Sequence, residues 1–211
     1  MNKETLILNI DLHQSLFRAA EIIKSGGIIS FPTDTVYGIG VSAFNKDAIE
    51  KIYQVKRRPK EKAIPILMGD QTELIKITPP PGERVQKILA AFWPGALTLI
   101  LPLLAELPAN LSNTGTIGVR VPDHNLTREL LRLTGPLAAT SANLSGQKSA
   151  LSAEEVLKNL GGKLDLILDG GRSLGRVAST VLDFTGEQPT VLREGPISWE
   201  QIKLLISPRI I

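Results

Sequence analysis

The sequence predicts a single α/β domain built on a mixed β-sheet. Amphipathic helical segments alternate with short apolar runs along all 211 residues, which is the pattern of a sheet covered by helices. No low-complexity linker, composition shift or internal repeat divides the chain, so residues 1–211 are expected to form one domain. The apolar runs at 179–184 and 190–193 are close enough for a hairpin, so antiparallel pairs should occur beside parallel ones.

In the first half of the chain, helices are predicted where apolar residues recur at helical spacing. They cover 12–24, 71–77 and 83–92, and a further helix before the basic segment ends near Arg57. Asn45 is placed to cap the helix that ends near Arg57. Strands are predicted where apolar residues run together, over 6–10, 28–31, 64–68 and 96–101. Pro32 ends the strand before it, and residues 32–40 are predicted to form a turn rich in hydroxyls and glycine.

In the second half, a loop over 102–115 leads into further alternating elements. Strands are predicted over 116–121, 137–140, 164–168, 179–184 and 190–193. Helices are predicted over 125–133, 152–159 and 198–206. The helix at 152 opens with Ser152 and, three residues later, Glu155, which is the pattern of a capping box.

Composition excludes several classes of protein. The chain has no cysteine and only two histidines, which excludes disulfides and thiolate metal sites and argues against a histidine zinc cluster. Asp34 and Asp123 lack the D-x-D spacing that would support a dedicated metal cage. Hydrophobic residues make up 43% and charged residues 21%, with no apolar run of membrane-spanning length and no signal peptide, so a cytoplasmic protein is expected.

The segment from Lys56 to Lys62 carries five cations in seven residues, although the whole chain has a net charge of only +3. Pro59 disfavours the helical conformation for Arg58, so the cations should lie across a corner between a helix and an extended segment. Two interpretations remain open. Charge alone favours a solvated basic face without a ligand. A corner would also suit an anion, because side chains leaving it can converge on one point.

Four segments share a strand that runs into a turn of hydroxyls and glycines: 32–40, 115–124, 139–146 and 178–184, with 192–196 as a smaller fifth. Strand ends in α/β folds are where small polar ligands bind. Arg120 lies within an apolar strand, where it either pairs with an internal carboxylate, for which Asp123 is the candidate, or meets an anionic ligand.

Other conspicuous residues are interpreted as structural. His124 lies at a predicted helix start, which favours a capping or solvated side chain over a catalytic one. Trp93 is expected to pack against the core and not to stack on bases. The glycine pairs at 161–162 and 170–171 fit turns, since neither matches a phosphate-binding pattern.

Taken together, six strings resemble the YrdC/Sua5 family of threonylcarbamoyl-AMP synthases. In chain order they are SFPTDTVYGIG, VKRRPKEK, WPGALTLIL, GVRVPDH, TSANLSG and STVLDF. The resemblance extends over about residues 12–199, and the length matches the form without an additional C-terminal domain. It implies a twisted, mixed α/β sheet flanked by helices, with a large basic concave cleft.

The resemblance also implies an activity. Family members join L-threonine, bicarbonate (or CO2) and ATP into threonylcarbamoyl-AMP and pyrophosphate. Their product supplies the threonylcarbamoyl group placed on adenosine 37 of tRNAs that read ANN codons, in a step carried out by partner proteins. Mg²⁺ is expected to bridge the ATP phosphates without a dedicated protein cage.

Site residues follow from the resemblance position by position. The catalytic cations are expected to be Lys56, Arg58 and Lys62. The ATP contacts are expected to be Arg58, Lys62, Thr116, Ser141, Asn143, Ser149 and Arg193. The L-threonine contacts are expected to be Thr33, Thr35, Arg120, Ala139, Thr140 and Ser179. No protein side chains are expected to form a metal site.

The chain departs from the family pattern after the basic string. Many members carry a proline and then a histidine there, where this chain has Ala63 and then Leu67 and Met68, and Ala178 stands where some members have glutamate. One alternative is a module that binds double-stranded RNA or tRNA without chemistry, but aromatic residues make up only 4% of the chain. A carbamoyl-transfer role would need zinc fingers, for which the chain has no cysteines.

Overall fold

The computed structural model describes residues 4–104, 106–175 and 177–206 and contains a ten-stranded sheet. The strands are β1 Leu6–Asn9, β2 Ile29–Phe31, β3 Gly38–Ser42, β4 Ile66–Leu67, β5 Leu97–Pro102, β6 Thr116–Arg120, β7 Leu137–Ser141, β8 Leu166–Asp169, β9 Thr180–Asp183 and β10 Thr190–Arg193. The helices are α1 His13–Lys24, α2 Lys46–Lys56, α3 Glu83–Phe92, α4 Asn125–Thr134, α5 Ala153–Leu160 and α6 Trp199–Ile206. A 3-10 helix covers Gln71–Lys76, where the sequence predicts a short helix.

The sheet is mixed, as the sequence predicts. Its strand order is β1-β8-β2-β3-β7-β4-β6-β5-β9-β10. The β1–β8, β2–β8, β4–β6 and β5–β9 pairs are parallel, and the remaining neighbours are antiparallel. The predicted hairpin is confirmed in the antiparallel β9–β10 pair.

Two apolar clusters lie on opposite faces of the sheet. Ile66 belongs to one cluster and its neighbour Leu67 to the other, and adjacent strand residues point to opposite faces. On one face α1 packs against α4, and on the other α2 packs against β3. Among the described residues, no helix is long and apolar enough to cross a membrane.

Strand β3 corrects the prediction of a turn over 32–40. Gly38 and Gly40 weaken the local strand signal, since glycine is a poor strand former. In the structure both face the ring of Phe31, and a Cβ on Gly40 would lie 3.0 Å from the Phe31 ring. The Phe31 ring therefore leaves little room for a side chain at either glycine, and hydrogen bonds to β2 and β7 hold the strand in place.

The predicted start and end of α2 are confirmed. Asn45 caps its N-terminus, because the side-chain oxygen accepts a hydrogen bond from Ala48 N over 3.0 Å. The helix ends at Lys56, and Arg57 adopts the left-handed conformation with φ of 50°. This cap turns the chain, so that Arg58 lies at the corner between the helix and the extended segment.

Candidate active site

The predicted hydroxyl turns meet at one end of the central strands. They enclose a pocket of about 100 Å³ between the β2–β3 connection, β4, β7, the end of β6 and the start of β9. All six residues expected to contact L-threonine line it, together with two of the expected ATP contacts: Thr33, Thr35, Arg120, Ala139, Thr140, Ser179, Ser141 and Arg193. Residues far apart in sequence are thus brought together around one pocket.

Arg120 is the charged group at the inner side of this pocket and is only 6% exposed. Its Nε donates to Gly95 O over 2.8 Å, its Nη1 to Thr35 Oγ1 over 3.1 Å, and its Nη2 to Asp34 Oδ1 over 2.5 Å. Burial lowers the pKa of the Arg120 guanidinium, while the Asp34 carboxylate raises it. The guanidinium is therefore held in one orientation with a counter-ion beside it.

The prediction that Asp123 is the candidate carboxylate partner of Arg120 is wrong. Asp123 is exposed, and the ion pair forms with Asp34, 86 residues away in the chain. The β2–β3 connection passes the end of β6, and only that crossing brings the two groups together. Sequence patterns identify Asp34 only as a metal-ligand candidate, although its place between two threonines in the first hydroxyl turn is a signal for the site.

The two threonines of the first turn form a small hydrogen-bond network. Thr33 Oγ1 donates to Val36 O over 2.7 Å and lies 2.9 Å from Thr35 Oγ1. The amides of Thr35 and Val36 both donate to Thr33 Oγ1 over 3.2 Å. Thr33 thus shapes the turn, and Thr35 links the turn to Arg120.

A second hydroxyl pair lies across the pocket. Ser179 Oγ is 2.8 Å from Thr98 Oγ1, and Arg193 donates to Ser179 through Nε to the carbonyl over 3.0 Å and through Nη2 to the hydroxyl over 3.2 Å. Thr98 lines the pocket but was not predicted as a site residue. Thr98 is a polar residue within the apolar strand of WPGALTLIL, just as Arg120 is a polar residue within its own apolar strand, and this pattern could have identified it.

Arg193 connects the pocket to the basic corner. Its positive charge lowers the pKa of Arg120, after the larger effects of burial and Asp34, and also that of Arg58, after burial and Tyr53. Arg58 donates through Nε to Lys62 O over 3.0 Å and through Nη2 to Ala63 O over 2.7 Å, so it folds the corner onto itself. Lys62 is exposed. Three guanidinium groups therefore follow one another from the pocket to the corner.

Lys56 lies in a different place from the other expected catalytic cations. It is only 1% exposed, and its Nζ donates to the carbonyls of Ser141 and Asn143. Burial lowers the pKa of the Lys56 ammonium to about 7, with a smaller contribution from the charge of Arg58. Lys56 does not line the pocket.

The other expected ATP contacts surround the pocket at greater distance. Asn143 turns its side-chain amide inward, donating to Leu144 O over 2.7 Å and to Gln147 O over 2.9 Å. Thr116 lies at the opposite end of β6 from Arg120, about 13 Å away for four strand residues. Ser149 is half-buried beside Ala150, whose carbonyl accepts from Tyr37 N over 3.0 Å. A ligand reaching all of them must be larger than the pocket.

Where the chain departs from the family pattern, apolar residues line the pocket. Leu67 lines it near the position where many members carry histidine, while Met68 is buried in the core. Ala178 lines it where some members have glutamate.

The residues interpreted as structural have the predicted roles. His124 caps α4, its Nδ1 accepting from Thr127 N over 3.3 Å, and Trp93 is buried in the larger apolar cluster. Across residues 4–104, 106–175 and 177–206, no group of three or more histidine and acidic side chains is placed to hold a metal ion.

The fold and the pocket define an α/β protein whose candidate site lies at the ends of its central strands. Residues 21–195 match the Sua5/YciO/YrdC family model, which is described as "Telomere recombination". The chain belongs to this family.

Comparison with individual relatives agrees with this family assignment. A threonylcarbamoyl-AMP synthase from Bacillus subtilis is 41% identical over 194 residues, covering 90% of this chain and 56% of the relative. A Mycobacterium tuberculosis relative is 38% identical over 192 residues and is covered to 88% of its length. The crystal structure of Pyrococcus abyssi Sua5 complexed with L-threonine superposes with a TM-score of 0.89 at 34% identity, covering 96% of this chain and 60% of that one. This chain thus spans little more than half the length of the first and third of these relatives.

Proposed function

We propose that the protein is an L-threonylcarbamoyladenylate synthase, a nucleotidyltransferase that uses ATP, bicarbonate (or CO2) and L-threonine. The observation that carries the proposal is the buried Arg120 in a pocket of about 100 Å³ lined by hydroxyls, with Arg193 and Arg58 leading away from it. Such a pocket suits an amino acid, and the guanidinium groups suit a phosphate chain. The names of the relatives support this pairing of substrates.

Arg120 is proposed to bind the threonine carboxylate. A guanidinium has five N–H donors, and three groups of this chain already accept one each, which leaves two for a carboxylate. Asp34 keeps the guanidinium in place and balances its charge while the pocket is empty of substrate. The hydroxyls of Thr35 and Ser179, which line the pocket, are proposed to contact the amine and the β-hydroxyl, and Leu67 is proposed to contact the methyl group.

The proposed reaction needs positioning and charge neutralisation more than a protein nucleophile. The free amine adds to CO2, losing a proton, to form the carbamate. A carbamate oxygen then attacks the α-phosphorus of ATP, and the bond to the β-phosphate oxygen breaks as pyrophosphate leaves. Arg58, Lys62 and Arg193 are proposed to hold the phosphates and to stabilise the departing negative charge. The chain's lack of cysteine and scarcity of histidine fit this chemistry.

Mg²⁺ is proposed to enter with ATP, coordinated by phosphate oxygens. The part of the chain that the structure describes offers no cluster of acidic and histidine side chains for it. Oxygen ligands from the nucleotide and water satisfy this ion without a protein cage.

The product is proposed to supply the threonylcarbamoyl group for adenosine 37 of tRNAs that read ANN codons. Transfer onto tRNA is assigned to partner proteins, as the resemblance to the family implies.

The test is an assay of pyrophosphate release from ATP and bicarbonate, with and without L-threonine. The expected result is release that depends on threonine, with threonylcarbamoyl-AMP identified by mass spectrometry. Absence of release, together with measurable affinity for tRNA, would instead support an RNA-binding module without chemistry.

A further inference from the structure

Lys56 ties the end of helix α2 to the turn that follows β7. Its Nζ donates to the carbonyls of Ser141 and Asn143, the latter over 2.6 Å. Its own carbonyl accepts from Ser145 N over 2.9 Å. Three hydrogen bonds from one residue therefore join the helix to the turn over 141–147.

The turn is also tied to the rest of the molecule through the β3–β7 ladder, where Ser141 pairs with Gly38, and through Ala142, which is buried in the larger apolar cluster. Ala142 N donates to Tyr37 O over 2.8 Å, while the Asn143 side chain bonds within the turn to Leu144 and Gln147. Asn143 Oδ1 is buried without a hydrogen-bond partner. Among the residues that the structure describes, the Lys56 side chain donates to both of these inward-facing carbonyls.

This geometry argues against a direct contact of Lys56 with the phosphates. Two of the three ammonium donors are directed at carbonyls, and the side chain is 1% exposed. Turning the ammonium outward would deprive the carbonyl of the buried Asn143 of its hydrogen bond, which is unfavourable, whereas Ser141 O would still accept from Asn143 N over 3.0 Å. Arg58, two residues later, already lies at the corner where phosphates are proposed to bind.

We propose that Lys56 is a positioning residue that holds the turn over 141–147, and with it Ser141, in the conformation that receives the nucleotide. This rests on the proposed function, because it assigns the turn to ATP. It separates the basic string into an internal brace, Lys56, and the cations of the corner, Arg58 and Lys62.

A matched control lies on the same helix. Lys51 Nζ also donates to a backbone carbonyl, Gly26 O, over 2.6 Å, but that carbonyl lies in the α1–β2 connection. Replacing either lysine by methionine keeps most of the stem and removes the ammonium. Only Lys56→Met should affect the turn.

Hydrogen–deuterium exchange of the protein without nucleotide tests the brace directly. Residues 141–147 should exchange about tenfold faster in Lys56→Met and at the wild-type rate in Lys51→Met. Lys56→Gln, which keeps two N–H donors on a shorter stem, should give an intermediate rate and serves if Lys56→Met does not fold.

Steady-state kinetics give the second readout. In Lys56→Met the KM for ATP should rise about tenfold, while the KM for threonine stays within about twofold of wild type. A raised KM for ATP with unchanged exchange over 141–147 would mean a direct phosphate contact and would overturn the proposal, as would unchanged values of both. If the wild-type protein released no pyrophosphate, the proposed function would fail, while the exchange comparison would still decide whether Lys56 holds the turn.

Discussion

Arg120 Nη2 and Asp34 Oδ1 lie 2.5 Å apart and form an ion pair inside the pocket, 7% and 16% exposed as side chains. The pair joins the end of β6 to the β2–β3 connection, although β7 and β4 lie between β3 and β6 in the sheet order. It therefore contributes both to the shape of the pocket and to the charge that the pocket presents.

Removing the carboxylate should destabilise the fold. Asp34→Ala leaves the Arg120 guanidinium buried without a counter-ion, and the free energy of unfolding should fall by about 3 kcal/mol. Asp34→Asn keeps an acceptor oxygen and should lose less. Urea denaturation measures both.

An exposed ion pair provides the control for Asp34. Glu83 and Lys87 lie 2.7 Å apart on the surface of α3, so Glu83→Gln should leave the urea midpoint nearly unchanged. Equal midpoints for Asp34→Ala and Glu83→Gln would show that Arg120 does not depend on Asp34.

Loss of the guanidinium should affect threonine more than ATP. Arg120→Ala and Arg120→Lys should each raise the KM for threonine by about tenfold or more, because an ammonium cannot make the same paired hydrogen bonds. Pyrophosphate release at varied threonine and saturating ATP measures this. An unchanged threonine requirement in a folded Arg120→Ala protein would make the pocket assignment wrong.

The corner cations Arg58 and Lys62 should affect ATP. Arg58→Ala and Lys62→Ala should each raise the KM for ATP by about tenfold, since a charged contact to phosphate is lost. The KM for threonine should change little.

Lys60 is the matched control in the same string. It pairs with Glu50 over 2.8 Å and is exposed, so Lys60→Ala should leave the KM for ATP close to wild type. Equal effects of Lys60→Ala and Lys62→Ala would point to a diffuse basic surface instead of a defined phosphate site.

The buried ammonium makes stability depend on pH. Burial lowers the pKa of Lys56 from its usual 10.5 to about 7, so between these values the unfolded chain binds a proton that the folded protein releases. The free energy of unfolding should therefore rise with pH in this range, by at most about 1.4 kcal/mol per pH unit. Arg58, whose charge also disfavours the ammonium, stays charged throughout and adds no slope.

Denaturation of wild type and Lys56→Met at pH 7 and 9 measures this contribution. The free energy of unfolding of the wild type, relative to that of Lys56→Met, should be larger at pH 9 than at pH 7. A constant difference would mean that Lys56 keeps its proton in the folded protein.

The left-handed residue after α2 offers a stabilising change. Arg57 has φ of 50°, a conformation that costs an L-residue about 1–2 kcal/mol, part of which glycine recovers. Arg57→Gly should raise the free energy of unfolding by about 0.5 kcal/mol after the greater flexibility of glycine in the unfolded chain is subtracted. Arg57→Val should lower it, and a thermal or urea unfolding curve distinguishes the two.

Much of the fold could be predicted because its signals are local. Helical spacing identified α1 to α6, and Asn45 and Pro59 marked the two ends of α2 and its corner. Strand β3 could not be predicted this way, because its glycines are explained only by the Phe31 ring on the neighbouring strand. The capping box at Ser152 was partly right, since Glu155 accepts from Leu151 N, one residue before the cap.

The sequence by itself determined the class of fold and the family, and it pointed to several of the residues that line the pocket, because short strings of hydroxyls, glycines and cations can be recognised without the structure. Tertiary structure alone decided how those residues are partnered. Asp34 and not Asp123 balances Arg120, and Lys56 turns inward to the carbonyls after β7 while Arg58 remains at the corner. The physical reason is that a buried charge takes whichever partner the packed strands bring within hydrogen-bond distance, and that distance bears no relation to separation along the chain.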